Sequence, residues 1–252
     1  MVEPIAYLIV ALFAVGMAGS FLVADPRSPT SRALSALFAF LGIAFLMNIP
    51  AQARLFFTSR LSWTRCFSLI EIGVIASLFE WSLRVGRTQA LPQADRRYSE
   101  RLVRIGQAAA LVYGAAGALL PAARAAVWNV APHPRLLFEP AYYVFAAPFA
   151  VTIVIGAMLL VRLLRAELDP AERLRAVALY SAGPFWAAGM FLPWNWIPVS
   201  FAIGELIFLI GAIRYHVLQG QRGQFLARFL SPQLTRLVRE RGLASALEQR
   251  RV

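Results

Sequence analysis

Seven apolar stretches punctuate the chain, at about residues 4–24, 33–50, 66–84, 103–121, 140–163, 174–192 and 197–217. Each is a continuous run bounded by Arg, Pro or an aromatic cluster, and none alternates polar with apolar positions. At about 1.5 Å per residue, roughly 20 residues cross a hydrocarbon core of about 30 Å. Backbone in lipid must satisfy its own hydrogen bonds, so continuous runs predict helices, whereas a barrel would alternate. The pattern predicts an all-α, polytopic membrane protein. Residues 1–217 form a seven-transmembrane helix bundle, and residues 218–252 a short cytoplasmic amphipathic tail. The first run has no basic segment before it, as a signal peptide would, and reads as a retained span.

Seven spans place the termini on opposite sides, and arginine chooses the direction. One set of connections carries twelve Arg: positions 27 and 32, then 84, 87, 96, 97, 101 and 104, then 162, 165, 173 and 175. The other carries five: Arg54, Arg60, Arg65, Arg124 and Arg135. Basic loops stay cytoplasmic, so the N-terminus is expected outside and the C-terminus inside a bacterial inner membrane. The tail agrees independently, with eight more Arg from Arg214 onward.

Composition adds little beyond this. Hydrophobic residues make up 59% of the chain and the net charge is +12, an excess that fits loops facing anionic lipid and not nucleic acid. A single cysteine, Cys66, excludes an intramolecular disulfide and a cysteine-based metal centre. Phosphate loops, metalloprotease motifs, nucleophile elbows and His/Cys clusters are absent from the sequence, so no catalytic or metal site is expected, and no cofactor in this chain.

Ionisable groups inside a membrane are costly and are functional candidates by default. Glu71 falls about a turn and a half into span three. Glu80 is explained by Arg84 four residues on. Glu205 lies near the middle of span seven, in "SFAIGELIFLIGAI". It is open to three readings: a carboxyl bonded to a neighbouring helix, a ligand- or proton-responsive site shared with Glu71, or part of a transport path. Trp128, Tyr142, Tyr143, Trp194 and Trp196 fall at outer ends as an interfacial belt, with Trp194 and Trp196 candidates for an outward ligand pocket. Small residues recur every four positions at Gly106, Ala110, Gly114 and Ala118, at Gly16 and Ser20, and at Gly183 and Ala187, as close helix packing requires. Pro184 should kink span six.

Span seven leaves the membrane through "IRYHVL", with Arg214 and His216 at the interface. The helix is expected to continue to about Leu230. Ser231 and Pro232 then read as an N-cap followed by proline at the first helical position. Leu234, Leu237 and Val238 share one face of the next helix, and Gly242 suits its stop.

The stretch carrying Phe229, Leu230, Ser231, Pro232 and Gln233, then Gly242, Leu247, Glu248, Arg250 and Arg251, resembles the segment preceding the catalytic domain of bacterial class III adenylate/guanylate cyclases. That match covers about 28 residues. The membrane part is similar to the seven-span sensor modules of bacterial histidine kinases, on span count, orientation and the "IRYHVL" exit. The resemblance implies a membrane sensor that relays a stimulus through span seven to a dimeric output domain. Magnesium and ATP would belong to a cyclase domain beyond Val252, and the implied partners are membrane lipid, a second copy of the chain and an unidentified stimulus. The alternatives are a sensor for another output, such as a histidine kinase, and a small transporter or channel.

Overall fold

The structure is a computed structural model that describes residues 2–49, 60–87, 93–128, 134–165, 169–189, 192 and 196–229. Among them are eight α-helices, one short 3-10 helix and no strand. The helices are α1 (Val2–Ala24), α2 (Pro29–Met47), α3 (Arg60–Arg87), α4 (Gln93–Leu119), α5 (Pro121–Val127), α6 (Pro140–Arg165), α7 (Pro170–Gly189) and α8 (Ile197–Phe229). The 3-10 helix, Pro134–Phe138, precedes α6.

Six of these helices are long and apolar enough to cross a membrane: α1, α2, α3, α4, α6 and the first 22 residues of α8. The chain is therefore an apolar helical bundle of membrane character. The helix α7 carries Glu172, Arg173 and Arg175 in its first two turns, and its described residues do not add a seventh helix of this kind.

Helix starts are written in local chemistry. Ser28 accepts the Ser31 amide through its side chain, and Pro29 occupies the first turn of α2, where a missing N–H costs nothing. Asp169 accepts the Ala171 amide at 3.3 Å, with Pro170 opening α7. Between α4 and α5, Leu120 leaves helical geometry (φ −117°, ψ 54°) ahead of Pro121. A residue before proline is pushed from the helical region, and the chain turns there.

Consecutive helices pack side by side, and α8 returns to α1, so the bundle closes in chain order. Its largest core lies among α1, α2, α7 and α8, built on Phe21, Phe38, Phe45 and Phe208, with Trp81 of α3 against it. Two smaller cores join α3, α4 and α6: one around Phe79 and Ile155, the other around Tyr113, Phe145 and Phe149. Large apolar side chains on the outside, such as Leu12, Leu111, Val154 and Ile210, are exposed, as a lipid-facing surface requires.

Glycine sets how closely these helices approach. A Cβ at Gly211 would lie 2.2 Å from the Ala178 Cβ, and one at Gly204 would lie 2.4 Å from Trp186 Nε1. On α4, Gly106 lies under the Phe79 ring and Gly114 under Ile72, which bears out the stripe expected there. The stripe expected on span one is not a packing face, because Gly16 meets nothing within 4 Å. Gly183 is open in the same way. Gly42, Gly189, Gly204 and Gly211 carry the close contacts instead.

Candidate functional site

Two buried polar centres lie in different parts of the bundle. The first is an ion pair that the sequence did not reveal. Arg124, expected in an outer loop, is only 1% exposed. The Pro121 turn folds α5 back so that the Arg124 guanidinium enters the bundle. One arm donates to the Ser68 hydroxyl and the other to the Glu71 carboxylate. The second arm also donates to the Tyr113 hydroxyl at 3.2 Å, and the Trp128 indole donates to the same hydroxyl at 2.9 Å. The guanidinium lies 5.2 Å from the Tyr113 ring centre. Gly117 makes room, since a Cβ there would stand 2.7 Å from an Arg124 nitrogen. Glu71 is thus neutralised and multiply bonded, and Trp128 is tied into this network while it packs on Tyr142 and Phe149.

The second centre is Glu205. It is 1% exposed, and neither carboxyl oxygen has a hydrogen-bond partner among the described residues. Phe201 and Phe208 lie one turn to either side on the same face of α8. Phe201 packs on Phe45 at 4.9 Å between ring centres, and Phe208 on Phe38 at 5.0 Å. Trp186, beside Gly204, also has an indole nitrogen without a partner. Glu205 therefore occupies an aromatic box that offers it no bond. An unsatisfied buried polar group costs about 1–3 kcal/mol. The structure does not bring Glu71 and Glu205 together: Glu71 bonds to Arg124 and Tyr113, and Glu205 stands alone.

At the other end of α8 a third cluster holds its exit. Arg175 of α7 is 1% exposed, and its guanidinium carbon lies 3.3 Å from the Tyr215 ring centre and 5.8 Å from that of Phe21. Its Nη1 is 3.5 Å from Glu172. His216 stacks on Phe21 with ring centres 6.4 Å apart. The first turns of α7 thus grip α8 where the sequence placed its interface residues. Of those, Arg214 and His216 are both exposed, and His216 takes part through its ring contact with Phe21.

The remaining expectations divide plainly. Glu80 and Arg84 pair at 2.7 Å. Trp196 is 56% exposed. Trp194, Ser231, Pro232 and Gly242 lie outside the described residues, and Phe229 is the last residue of α8. No group of three or more His, Cys, Asp or Glu that could hold a metal occurs among the described residues. What no periodicity could reveal was that Arg124 belongs inside. The one available signal was Pro121, which ends α4 three residues earlier. Compared with known proteins, the chain matches no family model, no curated protein and no solved structure.

Proposed function

We propose that the chain is the membrane sensor and relay region of a bacterial receptor, with Glu205 as the responsive group and α8 as the transmitting element. The observation that carries this reading is the continuity of α8. One unbroken helix of 33 residues runs from the aromatic box, through the Arg175 grip, to Phe229. Its last 11 residues extend about 16 Å past the apolar span. A helix of that stiffness carries a displacement at Glu205 to its far end.

The energetics suit a switch. A stimulus that supplied a hydrogen bond to Glu205 in one arrangement of α8 and not in the other would relieve about 1–3 kcal/mol, a shift of about 5–150-fold between two states. Glu71 does not suit this role, because Arg124 and Tyr113 already satisfy it.

The reading includes a seventh span. Support comes from the packing of α7 along α8: Gly189 lies on Phe201, Trp186 on Gly204 and Ala178 on Gly211. The two helices run antiparallel through the same depth, so α7 crosses wherever α8 does. The Arg distribution then favours an outer N-terminus and a cytoplasmic α8 exit in the bacterial cell membrane.

The proposed output is a class III adenylate/guanylate cyclase, paired as a dimer. Its support is the resemblance carried by Phe229, Ser231, Pro232, Gly242, Glu248 and Arg251. The test is a fusion of residues 1–252 to a class III catalytic domain in cells that lack cyclic AMP. The fusion should produce cyclic AMP, and Glu205→Gln should change that output at least threefold at equal expression. Unchanged output with Glu205→Gln refutes the role of Glu205. An inactive fusion that becomes active when residues 225–252 are replaced by a leucine zipper refutes the cyclase assignment of the tail.

A further inference from the structure

The bundle carries a groove on its outer surface that neither the relay nor the buried ion pair uses. It is open, about 520 Å³ in volume, and lies on α3 between α2 and α4. Its walls differ along their length. Gly73, Ala76 and Phe40 form the apolar end, and Arg32, Glu80 and Arg84 form the mouth. From Gly73 to Arg84 is 11 residues of helix, about 16 Å, or roughly half the hydrocarbon core. The groove is therefore one leaflet deep.

The mouth is basic and already organised. Arg84 donates to Glu80 at 2.7 Å and to the Pro29 carbonyl at 2.6 Å, which fixes its guanidinium beside the first turn of α2. Glu80 balances one arginine, and the exposed Arg32 is the second cation. Between mouth and apolar end, Ser77 and Gln107 face the groove. Hydrocarbon alone would leave both polar groups without partners, whereas the glycerol ester carbonyls of a phospholipid accept at that depth.

We propose that this groove is a binding site for one anionic phospholipid of the inner leaflet. The phosphate lies at Arg32 and Arg84, the ester region meets Gln107 and Ser77, and an acyl chain runs over Ala76 toward Gly73. Ala36 and Ala76 leave room for a chain, and the Phe40 ring, packed on Gly73, closes the apolar end. A soluble phosphate compound would leave that end empty, and the charge of the mouth selects against a zwitterionic headgroup. The choice of leaflet rests on the proposed orientation, but the assignment rests on no property of the output, so lipid retention and signalling can fail separately.

The test uses the full purified chain in detergent with equal amounts of dioleoyl phosphatidylglycerol and dioleoyl phosphatidylcholine, counted on the protein by native mass spectrometry. The native chain should keep one phosphatidylglycerol in preference to phosphatidylcholine by about tenfold. Arg32→Gln should lower that preference to about twofold or less. Ala76→Phe, which fills the channel and leaves every charge in place, should lower retention of the bound lipid at least fivefold. Arg162→Gln, on α6 away from the groove, should leave both values unchanged. Equal retention of the two lipids by the native chain overturns the proposal, as does an unchanged preference in Arg32→Gln. Lipid-free pairs of the chain at saturating phosphatidylglycerol would assign the groove to a second copy and overturn it equally.

Discussion

Replacing Arg124 by Met removes the centre of the buried network while keeping an unbranched, apolar side chain of similar length. The loss can be sized from the structure. Ser68 loses its charged donor, Glu71 keeps only the Tyr113 hydroxyl at 3.3 Å, and a buried carboxylate is left without its cation. Breaking one side of a buried ion pair costs about 3–5 kcal/mol, because the remaining charge stays desolvated. Removing both charges is often close to neutral. Arg124→Met should therefore destabilise the bundle by about 3–5 kcal/mol, and the double variant Glu71→Leu/Arg124→Met should recover at least half of that. Unfolding in mixed micelles, followed by tryptophan fluorescence, measures both. Trp128 donates to Tyr113 inside the network, so its emission should shift in the single variant. A loss below about 1 kcal/mol for Arg124→Met would refute the reasoning, and so would a double variant no better than the sum of the two single changes.

Four further expectations follow from other parts of the molecule. Reporter fusions at residues 90, 130, 170, 193 and 225 should read in, out, in, out and in; a cytoplasmic signal at 193 with an outer one at 225 would leave six spans and remove α7 from the membrane. Gly211→Val should destabilise the α7–α8 contact by at least about 2 kcal/mol, because its Cβ already falls 2.2 Å from Ala178, while Gly16→Ala should be neutral or slightly stabilising in the same unfolding assay. Glu205→Leu should raise stability by about 1–3 kcal/mol through loss of two unsatisfied oxygens, whereas Glu205→Gln should not; equal effects from the two changes would mean that the carboxyl has a partner after all. Cysteine at 229 or 234, in a Cys66→Ser background, should crosslink between chains in native membranes if the tail pairs with its copy, and protection only by anionic lipid would make the tail a surface anchor instead.

The helices were legible because continuous apolar runs leave lipid-embedded backbone no alternative. Their bounds were less so: α3 begins at Arg60, six residues before the apolar run, because a helix continues into polar flanks that hydropathy does not register. The helix α7 shows the converse. Its apolar run suggested a span, and its first two turns carry charges of which Arg175 folds inward onto the Tyr215 ring while Arg173 is exposed. Glu71 and Glu205 were both visible as carboxyls in apolar sequence, but their difference was not. One meets Arg124 and the other finds no hydrogen-bond partner among the described residues, and that depends on which helices are neighbours. Arg124 was hidden because an arginine between two apolar stretches looks like a loop residue until the Pro121 turn brings it back beneath α3. Local pairs such as Glu80 with Arg84 needed only a spacing of four, which sequence supplies directly.

The central claim is that Glu205 sets the position of the far end of α8. Spin labels at residues 27 and 220, in a Cys66→Ser background, report the distance between the C-terminal end of α1 and the C-terminal part of α8 by pulsed electron paramagnetic resonance in lipid nanodiscs. The aromatic box couples these helices through Phe21, Phe38 and Phe208, so removing the carboxyl should repack it. The account predicts that Glu205→Leu moves the mean distance by about 2 Å or redistributes two populations, a shift of the size that packed helices make when they change state. Superimposable distance distributions in native and Glu205→Leu protein would contradict it.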